Sequence, residues 1–219
     1  MILAAGRGER MRPLTDSVPK PLLEAGGKPL IAWHVERLKK AGFVEIIVNH
    51  AHLGAMIENY LGDGSRFGVR IRYSPEREAL ETAGGIAQAL PLLGDASFLV
   101  VNGDIYCDMD FAMLTLQEEE NASLVLVDNP PQHPGGDFSL HGGKVRDEGE
   151  HRLTFSGVGI YRPEIFRDIP PGTKARLAPL LCAQMAQGKV GGLHFRERWE
   201  DVGTPERLRR LDEELRNTA

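Results

Sequence analysis

Apolar positions along the chain follow two periods, and each period predicts a different element. After Pro29, apolar residues recur three and four positions apart as far as Leu38, which predicts an amphipathic helix that ends near Gly42. The same spacing from Leu53 to Leu61, again followed by a glycine, predicts a second helix. Short runs rich in β-branched residues flank these helices and predict buried strands at 1–4, 44–49, 69–73, 98–101 and 123–127.

The order of the elements indicates the fold class. Helices are also predicted at 84–92 and 110–120, so strands and helices alternate along the chain. This alternation favours an α/β, Rossmann-like domain, whose mainly parallel mixed sheet is wound by right-handed crossovers and covered by helices on both faces. No linker divides the chain, so we expect a single domain over 1–219.

The second half of the chain has a different texture. Residues 128–136 form a long irregular segment rich in proline and glycine, a composition typical of functional loops. Three further strands are predicted at 138–140, 144–146 and 153–161. They form a small antiparallel excursion that could cover a ligand. A last helix is predicted from Thr204 as the N-cap, with Pro205 at its first position.

Composition narrows the class of protein. The 219 residues are 42% hydrophobic and 26% charged, which excludes a disordered chain. The net charge is −5 and no run of basic residues occurs, so nucleic acid is not an expected partner. Neither a membrane-spanning run nor a signal peptide is predicted, and we expect a cytoplasmic protein. Because the first strand begins at Met1, we expect some residues upstream of it. Cys107 and Cys182 have no metal-ligand spacing.

The strongest local motif is the loop that follows the first strand. Backbone N–H groups and guanidinium groups together bind phosphate oxygens well. A Rossmann dinucleotide loop is excluded, because Met11 stands where its third glycine would be and Pro13 interrupts the helix that should follow. A Walker loop is excluded because no Gly-Lys-Ser/Thr ends the motif. A solvated structural turn stays open as the alternative. The loop's glycines and arginines are Gly6, Arg7, Gly8, Arg10 and Arg12.

Lys20 stands between two prolines, whose fixed φ angles hold the backbone around its ammonium group rigid. Taken alone, it could be an exposed lysine in a turn. Beside an arginine-bearing loop, it favours phosphate neutralisation.

Two aspartates stand where ligands bind in open α/β sheets. Asp104 follows the strand at 98–101, and Asp201 precedes the last helix. Mg²⁺ takes one or two carboxylates and completes its coordination shell with water and substrate phosphates. Taken separately, each aspartate would be an N-cap or turn residue. Together with a phosphate loop, the pair favours a magnesium site.

Paired glycines follow Glu81 at the start of a predicted helix. Gly84 and Gly85 would let a flat ligand approach the backbone closely, although an N-cap at Thr82 is the structural alternative for this segment. The histidines at 34, 50 and 52 lack a third metal ligand at a suitable spacing, so no chemistry is assigned to them.

With these motifs the chain resembles the sugar-1-phosphate nucleotidylyltransferases over nearly its whole length. Leu-Ala-Ala-Gly-x-Gly-x-Arg-Met-x-Pro-Leu-Thr at 3–15 and Pro-Lys-Pro-Leu at 19–22 match the family signature. Gly-Asp at 103–104, the strand at 155–161 and the Asp201 segment follow in family order. The resemblance implies transfer of a nucleotidyl group from UTP to a sugar 1-phosphate, with release of pyrophosphate and with Mg²⁺ as the cofactor. It also implies a nucleotide-binding half at about 1–105 and a sugar-phosphate-binding half at about 106–219.

The resemblance also implies roles for individual residues. Lys20, Arg10 and Asp104 are the expected catalytic residues, and Asp104 and Asp201 are the expected Mg²⁺ ligands. The residues expected to bind the nucleotide are Ala4, Gly6, Gly8, Glu9, Arg10, Lys20, Glu81, Gly84 and Gly85. Those expected to bind the sugar are Asn102, Asp137, Glu148 and Gly157.

Within the family, the chain looks most like the bacterial N-acetylmuramate-1-phosphate uridylyltransferases of cell-wall recycling. The Glu-Lys-Pro motif usual at the family's sugar site is missing, and residues 146–152 take its place. A changed sugar site fits a sugar with an acidic 3-O-lactyl group. The loop tip Gly135-Gly136-Asp137 is expected to contact its hydroxyl and amide groups.

Two other functions remain open. The first is a guanylyl- or thymidylyltransferase acting on a hexose 1-phosphate, because one sequence does not fix the shape of the base pocket. The second is a non-catalytic regulatory homologue that binds nucleotide sugars. The presence of Lys20, Asp104 and Asp201 together argues against this second function. No second enzyme domain is expected, because the chain ends soon after the last helix.

Overall fold

Nine strands form one mixed sheet in the computed structural model, which describes residues 1–217. Their order across the sheet is β5 (Arg70–Pro75), β4 (Glu45–His50), β1 (Ile2–Ala4), β6 (Phe98–Asn102), β11 (Arg152–Tyr161), β8 (Ala122–Val127), β12 (Val190–His194), β10 (Lys144–Arg146) and β9 (Phe138–His141). The first four are parallel to one another. β11 runs antiparallel to both of its neighbours, β6 and β8.

The antiparallel excursion forms the other end of the sheet, as the sequence predicts. β9 pairs antiparallel with β10 and also with the start of β11. Two short ladders lie outside the main sheet. One joins β2 (Glu24–Ala25) to β3 (Lys28–Pro29), and the other joins β7 (Ile105–Cys107) to β13 (Trp199–Asp201).

Helices cover both faces of the sheet. The α-helices of residues 1–217 are α1 (Leu14–Ser17), α2 (Leu30–Lys40), α3 (Gly54–Leu61), α4 (Glu81–Leu93), α5 (Leu177–Met185) and α6 (Pro205–Asn217). The helices predicted after Pro29, at 53–61, at 84–92 and after Thr204 are therefore confirmed. Of the residues described, none belongs to a helix that is both long enough and apolar enough to cross a membrane.

The prediction of a helix at 110–120 is wrong. Phe111–Met113 form a single 3-10 turn, and the backbone is already extended at Leu114. Contacts with Arg162 explain why residues 114–120 do not form a helix. Its guanidinium donates hydrogen bonds to the carbonyl oxygens of residues 117, 118 and 120, and thereby stabilises a non-helical segment through a distant contact.

Successive residues of a strand point to opposite faces of the sheet and pack in two separate hydrophobic cores. Ile46 and Val48 of β4 pack with α2 and α3, whereas Ile47 points to the opposite face and packs with α4 and α5. A third cluster joins α6 to β2 through Leu208, Leu211 and Leu215, which share one helical face. The layered core fixes the strand ends that carry the site.

His34 of α2 lies inside the first core and is completely buried. Its Nε2 lies 2.9 Å from the carbonyl oxygen of Ile105. Burial, aided by nearby Arg37, lowers the pKa of His34 from 6.5 to about 4. The ring is therefore neutral in the folded protein at pH 5, while it is protonated in the unfolded chain.

We expect His34→Gln to flatten the loss of stability in mild acid. Between the unfolded-state pKa of 6.5 and the folded-state pKa of about 4, the unfolded chain binds the extra proton, so stability falls as pH falls. This one group should remove roughly 2 kcal/mol of unfolding free energy between pH 7 and pH 5. Urea denaturation of both proteins at the two pH values measures the difference. Equal pH slopes for the wild type and the variant would contradict the assignment.

Candidate active site

The ends of three parallel strands meet at one edge of the sheet. The Gly103 N–H, just after β6, donates a 2.8 Å hydrogen bond to the Leu3 carbonyl oxygen. The Ala4 N–H, at the end of β1, donates a 2.9 Å bond to Oδ1 of Asn49 on β4. This carboxyl edge is where open α/β sheets bind ligands.

A cleft of about 200 Å³ opens at this edge and is called here the first cavity. Residues 3–6 form one wall, and Gly6 has open space beside its Cα where a side chain would project. The residues around it are Leu3, Ala4, Ala5, Gly6, Lys20, Pro21, Asn49, Ala79, Glu81, Thr82, Asn102 and Asp104. The structure therefore brings Ala4, Gly6, Lys20, Glu81 and Asp104 together, as the sequence analysis expects.

Lys20 and Asp104 form an ion pair in this cleft. Lys20 is only 6% exposed, and its Nζ lies 2.7 Å from Oδ2 of Asp104. Gly8 packs over the lysine stem with φ at +69°, and a Cβ added there would lie 3.2 Å from the Lys20 Cβ. A side chain at residue 8 would therefore strain the backbone and crowd the lysine. A buried ammonium requires a nearby counter-charge, which Asp104 supplies.

The ladder of β7 and β13 brings Asp201 beside Asp104. Asp201 is the register partner of Ile105, and the Val202 N–H donates a 3.0 Å hydrogen bond to the Asp104 carbonyl oxygen. Arg207 of α6 holds the Asp201 carboxylate, with Nη1 2.6 Å from Oδ2. The backbones of two aspartates almost a hundred positions apart in the chain thus lie side by side, and this place is called here the acidic corner.

This corner fits a hard divalent cation that also binds substrate phosphates. The structure gives Oδ1 of Asp104 and Oδ1 of Asp201 no protein partner within residues 1–217, so each aspartate keeps one free oxygen. Across the same residues, no group of three or more His, Cys, Asp or Glu side chains could hold a metal. Two carboxylates with water and phosphate oxygens match the preference of Mg²⁺.

The arginines of the glycine loop divide into two groups. Arg10 reaches this corner, because a Cβ added at Gly203 would lie 3.2 Å from its Nη2 and 3.1 Å from Oδ2 of Asp201. Arg7 and Arg12 instead form ion pairs with Asp16. Of the three loop arginines, Arg10 is therefore the one that lies near Asp201, while Lys20 lines the first cavity itself. Glu9 is exposed and lies outside the first cavity.

A second cavity of about 310 Å³ adjoins the first. The two share Leu3, Glu81, Thr82 and Asn102 in their walls. The remaining walls of the second cavity are Val100, Asp137, Phe138, Phe155, Gly157, Tyr161, Arg176, Leu177, Ala178 and Leu181. Asn102, Asp137 and Gly157, all expected at the sugar, lie together here.

Asp137 is held in place by hydrogen bonds to both of its carboxylate oxygens. The Phe155 N–H donates to Oδ2 over 2.8 Å, and His133 Nε2 lies 3.0 Å from Oδ1. Gly157 sits at an irregularity of β11 with φ at +82°, and Asn102 fills the space where its side chain would be. Each Asp137 oxygen can still accept a hydrogen bond from a ligand.

Gly84 and Gly85, both expected at the nucleotide, lie near the start of α4. Both are buried, and neither is among the described residues that line the first or the second cavity. A Cβ at Gly84 would collide with the Thr173 carbonyl oxygen, and one at Gly85 would lie 2.7 Å from Glu76 Oε1. These glycines therefore permit close packing of protein segments, and their contact with the nucleotide stays a prediction. Glu148 lies apart too, in the wall of a groove formed with Cys182.

A buried polar network supports the wall of the first cavity. Asn49 Nδ2 donates a 2.6 Å hydrogen bond to Glu76 Oε1, and the Leu80 N–H donates a 2.9 Å bond to Oε2. Burial raises the pKa of Glu76, although both hydrogen bonds oppose that shift. The network ties β4 to the turn that leads into Glu81, which adopts a φ of +60°.

Three residues of this site carry no clear signal in the sequence. Arg207 belongs to a helix whose apolar stripe indicates a structural role only. Arg176 precedes α5, which the sequence analysis does not predict. Asn49 reads as the end of a buried strand. Each acquires its role from a contact with another element of the fold, Asp201 of β13 for Arg207, Glu81 of α4 for Arg176 and Ala4 of β1 for Asn49.

A family model described as nucleotidyl transferase matches residues 1–140 of the chain. A relative from Neisseria meningitidis serogroup B, named N-acetylmuramate alpha-1-phosphate uridylyltransferase, is 60% identical over 218 residues, which cover 95% of this chain and 94% of the relative. A protein of the same name from Caulobacter vibrioides is 38% identical, covering 94% of this chain and 92% of its own length.

Solved structures share the fold. A structure from Bacillus anthracis, determined in complex with a sucrose, superposes with a TM-score of 0.87 at 23% identity. The match covers 99% of this chain and 94% of that one. The Rossmann-like α/β arrangement expected from the sequence is thus confirmed.

Proposed function

Because the chain belongs to the nucleotidyl transferase family, we propose that it transfers a uridylyl group from UTP to N-acetylmuramate α-1-phosphate. The products are the UDP-linked sugar and pyrophosphate. The acceptor and the base come from the two relatives named for this activity, which match nearly the whole chain. Such a reaction would serve cell-wall recycling.

One observation carries the proposal: the Lys20–Asp104 ion pair lies at the wall of a cavity that adjoins a second one. We assign the nucleotide to the first cavity, where the backbone of 3–6 can approach its phosphates and base. We assign the sugar to the second cavity, where Asp137 and Asn102 face it. The two cavities share lining residues, so a nucleotide in the first cavity and a sugar phosphate in the second would lie next to each other.

The reaction needs little covalent chemistry from the protein. An oxygen of the sugar phosphate forms a bond to the α-phosphorus of UTP, while the bond from that phosphorus to the β-phosphate bridging oxygen breaks and pyrophosphate leaves with the electron pair. The attacking phosphate is already ionised at neutral pH, so no general base is required. The barrier is the repulsion of anions, which Lys20 and Arg10 reduce.

We propose Mg²⁺ as the cofactor, held by Asp104 and Asp201. When bound, it would offset charge on the phosphates of both substrates. The free oxygen on each carboxylate supports this assignment.

A matrix of the four nucleoside triphosphates against several sugar 1-phosphates tests the function. The readout is pyrophosphate release with Mg²⁺ present. We expect the highest kcat/KM for UTP with N-acetylmuramate 1-phosphate. A preference for GTP or dTTP with a hexose 1-phosphate would favour the alternative transferase, and binding without any release would favour the regulatory homologue.

Replacing Asp137 with Ala should impair use of the sugar phosphate more than use of UTP. The variant removes hydrogen-bond acceptors from the second cavity only, so polar groups of the sugar lose their partner. We expect kcat/KM for the sugar phosphate to fall about tenfold or more, with a small change in the KM for UTP.

Asp128→Ala is the matched control, because Asp128 also pairs with a histidine but lines neither cavity. Asp137→Asn keeps the size of the side chain and guards against a folding defect. Equal losses for both substrates in the Asp137 variants would place this residue elsewhere in the mechanism.

A further inference from the structure

Arg176 stands at the wall of the second cavity, immediately before α5. Within residues 1–217, it is the one cation among the residues that line this cavity, and Lys20 is the one cation that lines the first. The two cations therefore serve different parts of the site. Lys20 pairs with Asp104 in the cavity assigned to the nucleotide, whereas Arg176 lines the cavity assigned to the sugar.

The guanidinium of Arg176 still has hydrogen-bond donors that can bind a ligand. Its Nε lies 3.3 Å from Oε2 of Glu81, and the side chain is 79% exposed. The structure gives its two Nη nitrogens no protein partner within the described chain. A guanidinium carries five N–H donors in a planar fork. It can therefore keep Glu81 on one edge and bind a second carboxylate in bidentate fashion on another.

The backbone that carries Arg176 is held in place. The Ala175 N–H donates a 3.0 Å hydrogen bond to the Leu80 carbonyl oxygen, and the Ala175 carbonyl oxygen accepts bonds from the N–H groups of Ala83 and Gly84. These contacts connect the start of α5 to the start of α4, at the wall shared by the two cavities. The arginine thus projects from a fixed point beside the sugar.

The other charged groups of the second cavity are anionic. Asp137 accepts hydrogen bonds at both oxygens, and Glu81 faces Arg176. A sugar with a neutral substituent needs no cation here. A sugar with a carboxylate would be repelled by both acids and attracted by Arg176 alone.

We propose that Arg176 binds the carboxylate of an acidic substituent on the sugar ring, and so selects an acidic sugar 1-phosphate over its neutral counterpart. The inference rests on the proposed function, since the lactyl group of N-acetylmuramate is such a substituent. Arg176 acts on specificity and has no part in the transfer of the uridylyl group.

The test compares three acceptors in the full-length protein. They are N-acetylmuramate 1-phosphate, its lactamide derivative, in which the carboxylate becomes a neutral amide of similar size, and N-acetylglucosamine 1-phosphate. The variants are Arg176→Ala, Arg176→Lys and Arg176→Glu. Lys174→Ala is the matched control, because Lys174 is an exposed cation two residues away that pairs with Glu78 and lines neither cavity.

We expect Arg176→Ala to lower the ratio of kcat/KM for the acid over kcat/KM for the amide by about tenfold, chiefly through the KM of the acid. Arg176→Glu should lower the ratio further and make the amide the better acceptor. Arg176→Lys should give an intermediate ratio because the charge remains without the fork. The control should keep the ratio of the wild type.

Two negative outcomes are distinguishable. If the wild type uses N-acetylmuramate 1-phosphate well and the ratio is unchanged in Arg176→Ala and Arg176→Glu, the role of Arg176 is overturned and the proposed function stands. If the wild type does not use this acceptor with UTP, the proposed function is overturned. Thermal melting of each variant verifies that the compared proteins are folded.

Discussion

Asp104→Ala is expected to lower the rate of pyrophosphate release by about a hundredfold or more. The change removes one of the two carboxylates proposed to hold Mg²⁺, and it also removes the counter-charge of Lys20, whose Nζ lies 2.7 Å away. Both losses act where negative charge concentrates during transfer. The loss should be in kcat, measured at saturating UTP and sugar phosphate.

Asp108→Ala is the matched control for this variant. Asp108 has nearly the same side-chain exposure, 41% against 39%, and also pairs with a cation, but it lies outside both cavities. Its loss should leave turnover within a few-fold of the wild type. Asp104→Ala with near-normal turnover, or a wild type that is unaffected by EDTA, would contradict the proposed metal site.

Lys20→Ala is expected to lower kcat by about a hundredfold, since it removes the buried ammonium that offsets phosphate charge. Lys20→Arg should restore little of this activity. The guanidinium is larger than the ammonium and distributes its charge over a plane, and the space around the lysine stem is limited by Gly8. Steady-state kinetics of both variants, with UTP and sugar phosphate varied separately, measure the effect.

Lys28→Ala provides the control for Lys20. Lys28 is likewise paired with a carboxylate, that of Glu36, but lies outside the cavities. A covalent nucleotidyl adduct on Lys20, found by mass spectrometry after incubation with UTP, would show that the lysine is a nucleophile. It would refute the proposal that Lys20 only offsets the charge of the phosphates.

Local sequence patterns predict the regular part of the fold because they report burial. Residues 46–48 of β4 and 98–101 of β6 are apolar in succession and buried on both faces, and the stripes of α2, α3 and α6 match their buried sides. The segment 110–120 fails for the opposite reason. Its backbone carbonyls are held by Arg162, a residue of a distant turn, and no local spacing records such a contact.

The candidate site shows the same division. Lys20 and Asp104 are found from motifs because each follows a local signal, a proline pair and a strand end. Gly84 and Gly85 pack closely against protein segments, and a sequence alone does not distinguish a glycine needed for packing from one needed for ligand approach. Arg176 and Arg207 depend on partners more than five residues away in sequence, Glu81 and Asp201.

The position of β11 between β6 and β8 has a consequence for protein engineering. The strand belongs to the half of the chain expected to bind the sugar, yet it pairs with β6, in the half expected to bind the nucleotide. Exchanging everything after residue 105 between relatives would replace β11 while keeping β6. A new strand that did not match β6 would leave the apolar edge of β6 unpaired and open to aggregation. Acceptor preference is better recombined through short grafts at 128–137 and 173–176, which leave the central pairing intact.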